Sequence, residues 1–146
     1  MKTKLLTGSG QRIYALVFEA GDECVAGIQE FAVREWLDST HFTAIGAFER
    51  VVLQYFNPAT KAYEDIPVGQ QVEVLSLIGN IATDGEGLKV HAHCVVGLPD
   101  GTTRGGHLKE GYVFPTLEVV LEETPRELRR RHDPGSGLAL IDLDLP

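Results

Sequence analysis

Between residues 43 and 122 the chain is a succession of β-favouring runs separated by turn signals. This rhythm constrains the fold more than any other feature of the sequence. A short run over 43–48 is followed by 50–56, rich in Val, Leu and aromatics. Asn57-Pro58 then starts a turn, and 63–66 returns as the second strand of a hairpin. The run over 71–82 is long, and its Val72, Val74, Leu75, Leu77 and Ile78 fall on both faces. That pattern predicts a strand covered on both sides. Asp84-Gly85 is a hairpin signal, and 88–98 is the returning strand. Pro99-Asp100-Gly101 makes the next turn, with strands over 104–108 and 113–122 beyond it.

Other elements flank this run. Residues 12–19 read as a strand through Ile13, Val17 and Phe18, ended by Gly21. Residues 24–36 read as a helix, because Val25, Ile28, Ala32 and Trp36 recur every three or four residues. Asp22 is its candidate N-cap. Thr124-Pro125-Arg126-Glu127 has the form of a capping box with proline at the first helical position. A short helix is expected to about Arg131, ended by Asp133-Pro134-Gly135, with a last strand over 138–145. The sum is an α+β fold: seven or eight strands in a mixed, mainly antiparallel sheet, one long helix and a short C-terminal helix. The 146 residues make one compact domain, 1–146, and a 43% apolar fraction suffices for a core without disulfide staples.

Charge and composition remove several function classes. A formal net charge of −8 repels polyanions and weighs against nucleic-acid binding, which rests on Lys and Arg neutralising phosphates. Cys24 and Cys94 have no disulfide-framework or redox spacing, so both are expected as free buried thiols. The N-terminus has no signal-peptide pattern, and no apolar run is long enough to span a membrane. A cytoplasmic protein is the default expectation.

The chemistry-bearing feature is a set of three histidines. His91 and His93 lie two apart in an expected strand, so alternation puts both imidazoles on one face and Cys94 on the other. His107 stands on the next strand, after Gly105-Gly106, which permit close backbone approach. If the two strands pair through the 99–101 turn, the three rings converge. Three neutral imidazoles suit a divalent transition metal, zinc first, with an open fourth position for water, a carboxylate or a small-molecule ligand. Nickel, iron and copper accept the same donors, whereas Mg²⁺ and Ca²⁺ prefer oxygen. An open position suits Lewis-acid or bound-hydroxide chemistry, and no substrate or catalytic residue is legible. Against this stands the plain alternative that the histidines make separate hydrogen bonds.

The remaining polar features have simpler readings. His41 and His132 are expected at the surface. Glu73 and Glu118 sit between apolar strand neighbours and read as solvent-facing, while Asn80 is a weaker pocket candidate. Arg126, Arg129, Arg130 and Arg131 read as the solvated face of the short helix. The chain has no Ser-His-Asp order, phosphate loop, Rossmann glycine pattern or zinc-finger spacing.

Several segments, taken in order, resemble the PPC domain, the plant and prokaryote conserved domain. They are Gly21-Asp22 before the helix; Ala44-Ile45-Gly46-Ala47-Phe48; Tyr55-Phe56 with Tyr63-Glu64; Glu73 to Ile81; His91-Ala92-His93; and Gly105-Gly106-His107-Leu108 with Gly111 and Glu118-Val119-Val120. They cover about 10–122, leaving 124–146 as a C-terminal extension. The resemblance implies a homotrimer and, as in the stand-alone prokaryotic members, a metal at His91, His93 and His107. Plant members pair the domain with a DNA-binding AT-hook, and this sequence has no Arg-Gly-Arg-Pro hook. A DNA-associated regulator and a pure oligomerisation module without metal chemistry are the alternatives the resemblance leaves.

Overall fold

Alternating apolar and polar residues settle most of the architecture in a computed structural model that describes residues 1–7, 10–85 and 87–144. The strands are β1 (Lys2–Leu5), β2 (Ile13–Glu19), β3 (Thr40–Asn57), β4 (Ala62–Val68), β5 (Val72–Thr83), β6 (Leu88–Gly97), β7 (Thr103–Glu123), β8 (Arg130–Asp133) and β9 (Leu138–Ile141). The single helix among the described residues, α1, spans Cys24–Arg34. This corrects the α+β expectation: the protein is mostly β-sheet.

The main sheet runs in the order β1-β2-β7-β6-β5-β3-β4, every pairing antiparallel. A further β3–β7 pairing closes β3, β5, β6 and β7 into a ring. Alternate residues of the sheet fill the core, among them Leu16, Phe18, Phe42, Phe48, Leu77, Leu117 and Leu121. Each such side chain contributes roughly 1.5–3 kcal/mol by leaving water.

Two breaks expected from the sequence are bends inside long strands. β3 joins the runs 43–48 and 50–56, and β7 joins 104–108 and 113–122. Shifts of register along the β3–β7 pair let both strands bend without leaving the sheet. Gly46 marks one bend: its φ is 149°, and a Cβ there would strike the Thr116 carbonyl. Strand β1 escaped the pattern because its side chains are all exposed, with Lys2 and Lys4 along the sheet edge.

Helix α1 covers one end of the core through Cys24, Ile28, Phe31 and Ala32. Its N-cap is Glu23 rather than Asp22: the Glu23 carboxylate accepts from the Val25 and Ala26 amides. The same carboxylate accepts from Gly111 N at 2.9 Å, tying the helix to β7. The helix stops at Arg34, short of the expected 36. Trp36, at φ 56°, is 87% exposed, and Leu37 N returns to Ala32 O in a Schellman closure.

The C-terminal helix does not form. The Thr124 amide donates to Ser39 O at 3.0 Å, and its hydroxyl also reaches Ser39. Glu127, the other half of the expected capping box, accepts from Thr83 Oγ1 and Arg129 instead. Two tertiary anchors outcompete a helix too short to repay its nucleation. Arg130–Asp133 becomes β8, paired with Leu138–Ile141 as β9, and the expected residue 145 lies outside the described residues. Among the described residues, no helix is long and apolar enough to cross a membrane.

Candidate metal centre

Turn chemistry sets the register that brings the histidines together. Asp100 accepts from the Thr102 amide and hydroxyl, and Leu98 N donates to Thr102 O at 2.8 Å. Gly101 takes φ 81° in this turn. The tight loop places Gly97 opposite Thr103 and His93 opposite His107. Alternation does the rest. Ala92, Cys94 and Leu108 point into the core, so His91, His93 and His107 point out of it.

One donor atom from each of the three imidazoles lies within 4.8 Å of the others. The ring centroids are 5.2 Å apart for His91–His93 and His91–His107, and 5.6 Å for His93–His107. Gly106 makes this possible, because a Cβ there would stand 2.6 Å from the Gln54 carbonyl of β3. Only glycine lets β7 lie this close to β3 beside His107. Tyr63, from β4, packs against the His107 ring, the centroids 4.8 Å apart.

The electrostatics favour the neutral form of His91 and His107. Burial pushes His91 down to about 4, helped by the positive charge of Arg130. Burial also lowers His107. Neutral imidazole is the ligating form. His107 Nδ1 is buried and has no hydrogen-bond partner, an unusual condition for a polar atom unless something else completes it.

The other sequence candidates divide. Glu73 and Glu118 face solvent. No carboxylate or thiol joins the histidine cluster among the described residues. Cys24 and Cys94 are free and buried, with burial raising Cys94 to about 12. Asn80 does line a cleft with His91 and His93. His41 is exposed and borders the same cleft, and His132 is exposed. The arginine run is not one solvated face. Arg129 pairs with Glu127 and Arg131 with Asp142, while Arg130 is buried, 8% exposed. Sequence reasoning missed Tyr63, Lys89 and Arg130 beside the histidines, in a second cleft lined also by His91 and His107. Only tertiary pairing brings them there, so periodicity carried no signal.

Comparison with known proteins places this arrangement. A Pyrococcus horikoshii plant- and prokaryote-conserved (PPC) protein superposes with TM-score 0.86 and 32% identity, covering 97% of this chain and 100% of that one. A Bacteroides thetaiotaomicron protein described as a DNA-binding candidate gives TM-score 0.88 at 28% identity, over 98% and 99% of the two chains. Archaeoglobus fulgidus AF0104, described as a metal-containing protein, gives 0.82 at 30%, over 97% and 99%. A curated relative, the bifunctional protein GlmU of Synechococcus sp. (strain JA-3-3Ab), is 30% identical over 143 residues, 96% of this chain. The chain spans about a fifth of the length of the curated relatives it matches. Residues 5–125 match the family described as the Plants and Prokaryotes Conserved (PCC) domain, and the chain belongs to that family.

Proposed function

We propose that this PCC-domain protein binds one divalent transition metal ion, zinc first, through His91, His93 and His107. The observation that carries the reading is the convergence of three outward imidazoles, with the Nδ1 of His107 buried and unpartnered. Tetrahedral zinc with bonds of about 2.1 Å needs donors roughly 3.4 Å apart, so small ring rotations from the observed spacing suffice. The metal-containing Archaeoglobus neighbour supports the same reading. An ion there supplies Lewis-acid chemistry at its open position. Zinc titrated into metal-free protein is expected to give a one-site isotherm, and an isotherm without saturation contradicts the reading.

The protein works as a homotrimer in this proposal. The outer face of the sheet exposes Ile45 at 61%, Ile78 at 56%, Leu75 at 53% and Val120 at 49%. Thr43 stands opposite both Ile78 and Val120, so these side chains form one patch, and Ile78 in turn stands opposite His93. Strand β5 is thus covered on one face by its own chain and open on the other, where the sequence pattern expects cover. Light scattering is expected to give three chains per particle, and Ile78→Glu to dissociate them; a monomeric wild type contradicts it. Two buried free cysteines suit a reducing compartment, the cytoplasm.

The label of the Bacteroides neighbour favours a second reading, association with DNA. The charge of −8 opposes it. A low-salt anisotropy titration with duplex DNA decides, and no binding at micromolar protein removes it.

A further inference from the structure

Arg130 is a buried cation that no carboxylate touches among the described residues, Asp84 acting on it only through space. It comes from β8, beyond the residues 5–125 that match the family. Its guanidinium donates to Asn80 Oδ1 at 2.6 Å and to Ala139 O at 3.0 Å, both neutral acceptors. Its Nε is buried with no acceptor at all. Five N–H donors less these two bonds leave three unused. A buried guanidinium with an unfilled donor is costly, and a ligand oxygen would complete it.

The surroundings say what kind of ligand. Arg130 lines a cleft of about 230 Å³ with His91, His107 and Tyr63. Lys89 adds a second cation, its ammonium 3.9 Å from the Asp84 carboxylate, and no carboxylate lines the cleft among the described residues. The net charge is −8, so a cleft lined by two cations and, among the described residues, by no acid departs from the rest of the protein. Val90, Leu138 and Leu140 give it an apolar side.

We propose that this cleft binds a small organic carboxylate, its oxyanion held by Arg130 and Lys89 and its body against the apolar side, with the histidine site at its end. The planar guanidinium fork matches a carboxylate in two parallel bonds. Tetrahedral phosphate offers more negative charge but no apolar body, and the cleft's apolar side favours the organic acid. The proposal builds on the metal reading but does not need the ion for Arg130 to bind.

The test is calorimetric titration of acetate, propionate and inorganic phosphate into zinc-loaded and metal-free protein, with zinc content measured in parallel. Saturable carboxylate binding is expected, propionate tighter than acetate. Arg130→Gln is expected to weaken it roughly tenfold or more at unchanged zinc content, with partial recovery in Arg130→Lys. If Arg130→Gln does not fold, Lys89→Gln decides, since that side chain is 56% exposed. A loss of roughly threefold supports the proposal and no change overturns it. Absent binding, binding indifferent to both residues, or phosphate binding tighter than propionate also overturns it. Protein that takes no zinc yet binds propionate through Arg130 defeats the metal reading alone.

Discussion

The β6–β7 hairpin and the β8–β9 hairpin both reach the histidine cleft, and they hold their side chains there by different means. In β6–β7 the instructions are local. Asp100 and Gly101 shape the turn, the turn sets the register, and the register puts His93 opposite His107. In β8–β9 they are distant. Ser39, Thr83 and Asn80 hold the segment that carries Arg130 into place. The locally specified hairpin supplies the candidate metal ligands, and the remotely anchored one supplies the charge beside them. A substitution in the first acts on ring convergence, and one in the second acts on what surrounds the rings.

The largest break in this comparison is expected from His91→Ala with His107→Ala. Both rings point away from the core, so the fold survives while zinc content drops by at least roughly tenfold, measured by plasma emission on folded protein. Gly106→Val comes next. Its side chain meets the Gln54 carbonyl, so overpacking is expected to cost about 1–3 kcal/mol in a urea melt and to lower zinc content with it.

A pH series sharpens the contrast further. In the unfolded chain His91 titrates near 6.5, and in the folded metal-free protein burial and Arg130 bring it to about 4. Above pH 6.5 both forms are neutral and the group contributes nothing. Between those values the unfolded state takes up a proton that the folded state refuses. Stability of the metal-free protein is therefore expected to fall as pH drops from 6.5 toward 4. Arg130→Gln is expected to narrow that loss, because one cause of the depression is gone. Urea midpoints at pH 7 and pH 5 measure both. The smallest effect is Thr124→Ala, expected to cost about 0.5–1.5 kcal/mol through its lost bonds to Ser39. Its zinc content is expected to stay unchanged, since the β6–β7 register does not depend on it.

The same division explains what could be read from the sequence. Alternation at His91, Ala92, His93 and Cys94 assigned faces correctly, and the 99–101 turn joined the right strands. The long strands β3 and β7 read along the chain as two runs each, and Gly46 and Gly111 lie within them. Across the sheet they are points of close approach to β7 and to the Phe48 ring. The capping box at Thr124 was sound local chemistry that lost to Ser39 and Thr83, partners far off in sequence. Arg130 looked like one of four solvated arginines because nothing near it in the chain marks the cleft it enters. What neighbours in sequence decide was legible, and what neighbours in space decide was not.

The central claim is that the three outward histidines hold a metal ion. The most direct measurement is the metal content of untagged protein purified without chelator, compared with the His91→Ala, His107→Ala double variant. About one equivalent of a transition metal per chain, zinc foremost, is predicted for the wild type and none for the variant. Less than about a tenth of an equivalent in the wild type, with no gain after zinc is added and excess removed, would contradict the account.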